Sequence, residues 1–271
     1  MSKPILKVEN RDRCLILTID REEAGNSLSA ETADAILAAI APLAGRGDGR
    51  TAPAHDEDPR TVILTGAGNK FFCAGGDIKR YRSLRTGGQV QDVFKGPRRL
   101  MDALEDLPLP VIAAINGYAL GGGAELMLAA DIRIASDCAR IGFPQSRLGI
   151  IPGFHGVQRL ARDIGHARAM ALLLSGDMQS AARAAELGLV HDVVAPDDLL
   201  PAALKYAHSL EVCGPLALAG TKRVLHSVSR DNEAASRQVA DEVLIDLWLS
   251  EDHREAEAAF EEKRQPDFKG R

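Results

Sequence analysis

Val111-Ile112-Ala113-Ala114-Ile115-Asn116-Gly117-Tyr118-Ala119-Leu120-Gly121-Gly122-Gly123-Ala124-Glu125-Leu126 is the stretch on which the fold turns. Val111–Ile115 is wholly apolar and reads as a buried strand. Glycines then cluster from Gly117 to Gly123, and a helical pattern follows from about Ala124 to Ala129. A strand passing through such a turn into a helix is the building unit of an α/β protein. Upstream, Thr61–Thr65 is a second apolar strand, ending in the turn Gly66–Asn69; downstream, Ile132–Ala135 is a third. A helical stretch from about Val90 to Leu107 lies between the first two, and Pro97 must start or kink it.

Further out, Ile5–Val8 and Leu15–Ile19 read as strands separated by the polar turn Glu9–Arg13. Ser29 is placed to cap a helix in which Ile36, Leu37, Ile40 and Leu43 recur at helical spacing. Gly45–Pro59 has no apolar pattern and reads as an exposed loop. After Pro196 the pattern is helical throughout, and Asp252 with Glu255 is spaced as a capping box for the last helix. Alternating strands and helices predict an α/β class with parallel pairing. The change of pattern predicts a boundary near residue 205, between an α/β core (1–205) and a helical tail (206–271).

Composition narrows the function. The 271 residues suffice for one large core, and 45% apolar with 26% charged residues is ordinary for a globular protein. Aromatics are only 4%, so that core must rest on Ala, Leu, Ile and Val. A net charge of −5 and basic clusters no longer than Lys95 with Arg98 and Arg99 lack the footprint of a nucleic-acid binder. The scattered Cys14, Cys73, Cys138 and Cys213 form no C-x-x-C pair, which argues against a zinc site or disulfide framework and suits a reducing compartment. No apolar run approaches the ~20 residues that span a bilayer. Met-Ser-Lys-Pro runs straight into a strand-like segment, so no signal peptide is expected and the cytoplasm is the expected location.

Two glycine-rich turns carry the chemistry. One is the stretch quoted above; the other is Phe72-Cys73-Ala74-Gly75-Gly76-Asp77-Ile78-Lys79. Glycine lets a backbone approach a ligand and leaves N–H groups unshielded. The later turn also opens a helix, whose free N–H groups and dipole favour an anion. Two such donors aimed at one oxygen make an oxyanion hole, each worth ~3–4 kcal/mol in a transition state. Either turn alone reads equally as a tight connection. A dinucleotide or phosphate loop fits worse, because no G-x-G-x-x-G opens a helix after a strand and no G-K-[ST] is present.

Together the two turns resemble the paired signature of the enoyl-CoA hydratase/isomerase (crotonase) family. So do Ile150-Ile151-Pro152-Gly153 leading to Gln158-Arg159-Leu160, the early Gly25-Asn26-Ser27-Leu28, and Ser175-Gly176 through Ala181, Ala184, Gly188, Leu189 and Val190. The match runs in order from about residue 8 to Phe260-Glu261-Glu262-Lys263-Arg264. The resemblance implies a crotonase-like ββα spiral core with a C-terminal helical trimerisation region, assembled as a homotrimer or dimer of trimers. It implies an acyl-CoA thioester as substrate, with no cofactor beyond that coenzyme A; the charge, hydropathy and lack of metal-ligand spacing leave no nucleic-acid, membrane or metal partner expected. By motif position, Gly76 and Gly122 would supply the oxyanion-hole N–H groups. Asp77, Ile78 and Lys79 would line the CoA-thioester site, with Lys79 as a point charge for a CoA phosphate.

Glu125 matches the first of two family glutamates that hold a water and shuttle its proton. Taken alone it would be a first-turn glutamate complementing a helix dipole. The second glutamate position matches Gln145, in Gly142-Phe143-Pro144-Gln145. Glutamine positions a water but exchanges no proton at neutral pH, and losing an acid or base typically costs ~10²–10⁴-fold in rate. Three outcomes stay open. Glu125 acts alone, in a double-bond shift or in hydration with altered proton routing. Alternatively a second group substitutes: His155, in Pro152-Gly153-Phe154-His155-Gly156, is a candidate base for thioester hydrolysis, against a plain reading as a partly buried, hydrogen-bonded histidine. Or the reaction is another enolate chemistry such as decarboxylation. A non-catalytic acyl-CoA-binding subunit is the remaining alternative.

Overall fold

Two sheets and the helices between them make up the protein, for which the computed structural model describes residues 4–44, 58–77, 81, 84–230, 246 and 250–271. The large sheet has the order β1-β2-β3-β5-β7-β10. Its first pair, β1 (Leu6–Arg11) and β2 (Cys14–Ile19), is antiparallel around Asp12-Arg13, both left-handed at φ 50 and 58. The turn is thus shorter than the expected Glu9–Arg13. Glu9–Arg11 continue the strand because β1 is a sheet edge whose charged side chains stay in water. The other pairs join β2 to β3 (Thr61–Gly66), β5 (Val111–Ile115), β7 (Ile132–Ser136) and β10 (Asp192–Val194), all parallel.

Parallel strands must be covered on both faces, and alternation along them shows how. Leu15, Leu17, Val62, Leu64, Val111 and Ala113 belong to the larger buried cluster. Their neighbours Cys14, Ile16, Ile63, Ile112 and Ala114 face the opposite way, onto Leu199, Ala203 and Ala207 of the helix α7 (Leu199–Ser209). Burying each Leu or Ile fully contributes about 1.5–3 kcal/mol. The anticipated boundary at residue 205 falls inside α7, where Ala203 and Ala207 lie on either side of it and pack in one cluster.

The small sheet, β4-β6-β8-β9, consists of three-residue strands: β4 (Phe71–Cys73), β6 (Tyr118–Leu120), β8 (Arg140–Gly142) and β9 (Met178–Ser180). The first three each follow a strand of the large sheet, and a helix then returns. The units are β3-β4-α2 (Gly87–Asp106), β5-β6-α3 (Gly122–Leu128) and β7-β8 followed by a 3-10 turn, Pro144–Leu148. These are turns of the expected ββα spiral. α1 (Ala30–Ile40) is capped by Ser29, whose Oγ accepts the Thr32 N–H at 3.2 Å. α2 starts well before Pro97, at a capping box of Thr86 and Gln89, and Pro97 is buried within it.

α4 (Gly156–Ile164), α5 (His166–Ser175) and α6 (Ala181–Leu187) precede β10 and α7; α8 (Pro215–Arg230) and α9 (Glu251–Glu262) follow. At α9 the anticipated capping box of Asp252 and Glu255 is corrected. Ser250 Oγ takes the His253 N–H at 3.1 Å. The Asp252 carboxylate accepts instead from the Lys269 and Gly270 amides, at 2.7 and 3.1 Å, tying the returning chain to the helix. Of the loop read over Gly45–Pro59, residues 45–57 lie outside the described residues. No described helix is long and apolar enough to cross a membrane.

Candidate active site

The first glycine turn leaves β4 and is held by the early Gly25–Leu28 segment. Asn26, left-handed at φ 52, donates through Nδ2 to Ala67 O and Phe71 O at 3.0 and 2.7 Å. Ala74 N–H donates to Gly25 O and Leu28 N–H to Gly75 O, both at 2.8 Å. Leu28 and Gly76 form an isolated parallel bridge. Such a bridge uses the groups of the residues flanking Gly76, so the Gly76 N–H itself turns away from Leu28. Gly75 needs to be glycine, since its φ is 107 and a Cβ there would lie 2.8 Å from Leu120 O.

The second turn leaves β6 and enters α3 through Gly121, at φ 53. The two turns meet. A Cβ on Gly122 would lie 3.2 Å from Gly76 N, and one on Gly75 would lie 3.3 Å from Gly122 N. No hydrogen bond among the described residues uses either the Gly76 or the Gly122 N–H. Two aromatic rings lie over them. A Cβ on Gly76 would run into the Tyr81 ring, 2.5 Å from Cε2, and its hydroxyl; one on Gly122 would run into Phe154 Cε2, also at 2.5 Å. Phe94 bridges the two rings, with centroids 5.1 Å from Tyr81 and 5.5 Å from Phe154. Burial and the neighbouring Asp77 push the Tyr81 phenol up to about 12, so it stays a neutral donor.

Beside the paired glycines stands Glu125, in the first turn of α3 and only 1% exposed. Its Oε1 accepts the Phe154 and Gly156 N–H groups at 2.7 and 2.9 Å. Its Oε2 accepts from Gln145 Nε2 at 3.2 Å. Burial raises the Glu125 pKa; the amides of Phe154, Gly156 and Gly153 and the positive charge of Arg159 oppose this, and the net direction is upward. A carboxylate accepts only, so the amide nitrogen of Gln145 must face it. That leaves Gln145 Oε1 buried with no hydrogen-bond partner among the described residues.

This geometry, together with the comparisons, decides the family. The enoyl-CoA hydratase/isomerase model matches residues 9–271. The chain is similar to the enoyl-CoA isomerase/hydratase fer4 of Mycosarcoma maydis, at 36% identity over 94% of this chain and 92% of that protein. It is also similar to the short-chain-enoyl-CoA hydratase of Clostridium acetobutylicum, at 34% identity over 97% of each chain. Among solved structures it matches an enoyl-CoA hydratase from Bacillus anthracis with a TM-score of 0.89 and 36% identity, covering 99% of this chain and 100% of that one. The chain belongs to the enoyl-CoA hydratase/isomerase family.

The residues that the family resemblance singled out divide into three groups. Gly76, Gly122, Glu125 and Gln145 are brought together, with Glu125 and Gln145 in direct hydrogen-bond contact. Asp77 is half-buried next to Gly76, and its carbonyl accepts the Tyr81 N–H at 3.1 Å; Ile78 and Lys79 lie outside the described residues. His155 differs from expectation. Its imidazole is exposed rather than partly buried, and no hydrogen bond or ion pair of it occurs among the described residues. The His155 backbone is left-handed. At φ 64 and ψ 24 it lets the amides on either side converge on one carboxylate oxygen, as a backbone nest does.

The aromatic trio Tyr81, Phe94 and Phe154 went unnoticed in the sequence. With aromatics so scarce, their closeness in sequence to the glycine turns and to the Pro152–Gly156 segment was the available signal. Cys73, inside the first motif, is excluded as a neutral-pH nucleophile, because burial pushes its thiol up to about 11.

Proposed function

We propose that the chain acts on an enoyl-CoA thioester by forming its enolate. The thioester oxygen sits between the Gly76 and Gly122 N–H groups, and Glu125 is the one proton carrier. The observation that carries this reading is a buried carboxylate beside two close amides that no acceptor among the described residues uses. Negative charge developing on the thioester oxygen is stabilised by both donors, each worth ~3–4 kcal/mol. Glu125 Oε1 is gripped by two amides, so Oε2 is the atom that exchanges the proton. Gln145 holds that oxygen in place and takes no proton itself.

A single carboxylate suffices for a double-bond shift. It removes a proton from the Cα of a 3-enoyl thioester, the electron pair flows into the dienolate, and the same proton returns at Cγ to give the 2-enoyl thioester. Hydration is the second reading, and the buried Gln145 Oε1 favours it, since an unpartnered acceptor there can hold a hydrogen of the attacking water. Hydrolysis through His155 has no comparable support, its imidazole being exposed. Asp77 and Lys79 are assigned to the CoA portion of the substrate, with no further cofactor.

The proposal extends to a cytoplasmic homotrimer or dimer of trimers. Leu148, Ile150, Ile151, Met170, Leu174 and Met178 are all exposed. The 3-10 turn and α5 that carry several of them are joined, with Ser146 donating to Leu174 O at 3.3 Å and Arg147 to Ser175 O at 2.9 Å. Exposed apolar side chains grouped in this way support an interface between copies of the chain.

The deciding experiment is Glu125→Gln assayed on a panel of 2-enoyl, 3-enoyl, 3-hydroxyacyl and simple acyl thioesters of CoA, with product masses. Turnover is expected to vanish while thioester binding survives. In the unsubstituted enzyme, an unchanged mass with a moved double bond marks isomerisation, an added water marks hydration, and free CoA marks hydrolysis. Undiminished turnover in Glu125→Gln would remove Glu125 from the reaction.

A further inference from the structure

Arg159 lies on α4 and is 4% exposed, an expensive place for a cation unless its charge is paired. Its Nη2 donates to Glu105 Oε2 at 2.6 Å and to Asp102 Oδ1 at 2.9 Å, both on α2. Glu105 is itself buried, and burial alone would raise its pKa. Arg159 and Arg162 outweigh that and hold it down at about 2, so it is a permanent anion at neutral pH. Of the other nitrogens of Arg159, Nη1 donates to Phe154 O at 2.7 Å, while Nε is buried with no hydrogen-bond partner among the described residues.

That carbonyl lies in the middle of the segment that grips Glu125. The Phe154 and Gly156 N–H groups hold Glu125 Oε1, and the Phe154 carbonyl lies between them in the chain. Arg98 pins the preceding carbonyl, Gly153 O, at 2.7 Å. His155 between the two donors has a left-handed backbone, which a β-carbon-bearing residue rarely adopts and which needs support from its surroundings. Arg159 supplies that support from inside the protein, braced by two carboxylates of another helix.

We propose that Arg159 is a positioning residue for the reaction: clamped by Glu105 and Asp102, it holds the Phe154 carbonyl so that the flanking amides fix Glu125 Oε1 and leave Oε2 aimed at the substrate. This rests on the reading of Glu125 as the proton carrier. The same guanidinium is close enough for its charge to favour the Glu125 carboxylate.

Three variants test it. Arg159→Lys keeps the charge but cannot reach three acceptors in a planar fork. It is expected to lower kcat on the order of 10²-fold with KM little changed, the cost of misplacing a reacting group by about 1 Å. In Arg159→Met the cation is gone, so the Glu125 carboxylate is less favoured and the acidic limb of the kcat–pH profile moves to higher pH. Arg159→Met also leaves the buried Glu105 with Arg162 as its remaining arginine partner, so the double variant Arg159→Met/Glu105→Leu is made to restore the melting temperature; kcat should stay low in it. Wild-type kcat in Arg159→Lys would overturn the proposal. So would a double variant that regains both melting temperature and turnover, or an unmoved acidic limb in Arg159→Met. Glu125→Gln separates the two ideas: if it retains turnover, the proton-carrier reading fails; if it is dead while the Arg159 variants behave as wild type, only the positioning role fails.

Discussion

Placing a second carboxylate where Gln145 stands tests whether one missing proton carrier governs the chemistry. In Gln145→Glu the new oxygen would take the place of Nε2, which lies 3.2 Å from Glu125 Oε2. Two unit negative charges at that separation repel by about 5 kcal/mol at an effective dielectric of 20. The substitution also removes a hydrogen bond to a charged acceptor, worth about 1.5–3 kcal/mol. Both penalties disappear if the pair keeps one proton, which then bridges the two oxygens. Burial already disfavours a charged Glu125. The pair is therefore expected to hold a single proton at neutral pH and to titrate with two apparent pKa values, one above the usual carboxylate range.

Such a pair can perform both halves of hydration: one member takes a proton from the water attacking Cβ while the other delivers its proton to Cα. Hydration of a 2-enoyl thioester should rise by ~10²–10⁴-fold, and its pH profile should become bell-shaped. Disappearance of the conjugated enoyl chromophore measures the rate, and a product heavier by one water identifies the reaction. Gln145→Ala serves as the control that removes the amide without adding a carboxylate. If Gln145→Glu is folded, binds the thioester and hydrates no faster than the parent, the absent carboxylate does not limit hydration and the reasoning fails.

Gly122→Ala should lower kcat/KM by ~10²–10³-fold, the value of an oxyanion donor, because the new methyl lies 2.5 Å from Phe154 Cε2 and 3.2 Å from Gly76 N; wild-type kinetics in this variant would refute the shared oxygen site. Leu174→Asp, at a side chain 71% exposed, should break the assembly, seen as a fall in mass by light scattering; an unchanged mass would take α5 out of the interface. For Glu105 the folded pKa of about 2 lies below the ordinary 4.5, so its contribution is full above 4.5 and is lost as pH falls toward 2. That contribution is on the order of 3 kcal/mol; the gap in melting temperature between the parent and Glu105→Gln should close across that range, and a constant gap would count against the buried ion pairs.

Much of the fold was readable because its strands are long enough to show a pattern. Val111–Ile115 and Thr61–Thr65 are apolar on both faces, the mark of a parallel strand covered on both sides, and both lie in the centre of the large sheet. The three-residue strands β4, β6 and β8 were invisible, since a run that short has no period to detect. Residues of β4 and β6 read as parts of the two glycine turns, yet these strands aim those turns at one another. At the site, Gly76, Gly122, Glu125 and Gln145 carried a motif, and the structure brings them together. The position of His155 carried none that could distinguish its imidazole from its backbone, because a left-handed φ in a residue with a β-carbon has no reliable sequence signal.

The Arg159 clamp was hidden for a different reason. Its three acceptors are Phe154 O, Asp102 and Glu105, and the two carboxylates stand more than fifty positions away on another helix. A buried ion pair has no local pattern; Arg159 and Glu105 each look like ordinary surface charges until packing buries both to 4% exposure. Removing one partner of such a pair typically costs about 3–5 kcal/mol. The chain has therefore placed a strongly held, stability-critical contact directly behind the two amides that grip the buried Glu125. The physical consequence is that the Glu125 carboxylate is gripped by backbone anchored to the protein's interior, which under the proposed mechanism leaves Oε2 to exchange a proton while Oε1 keeps its two donors.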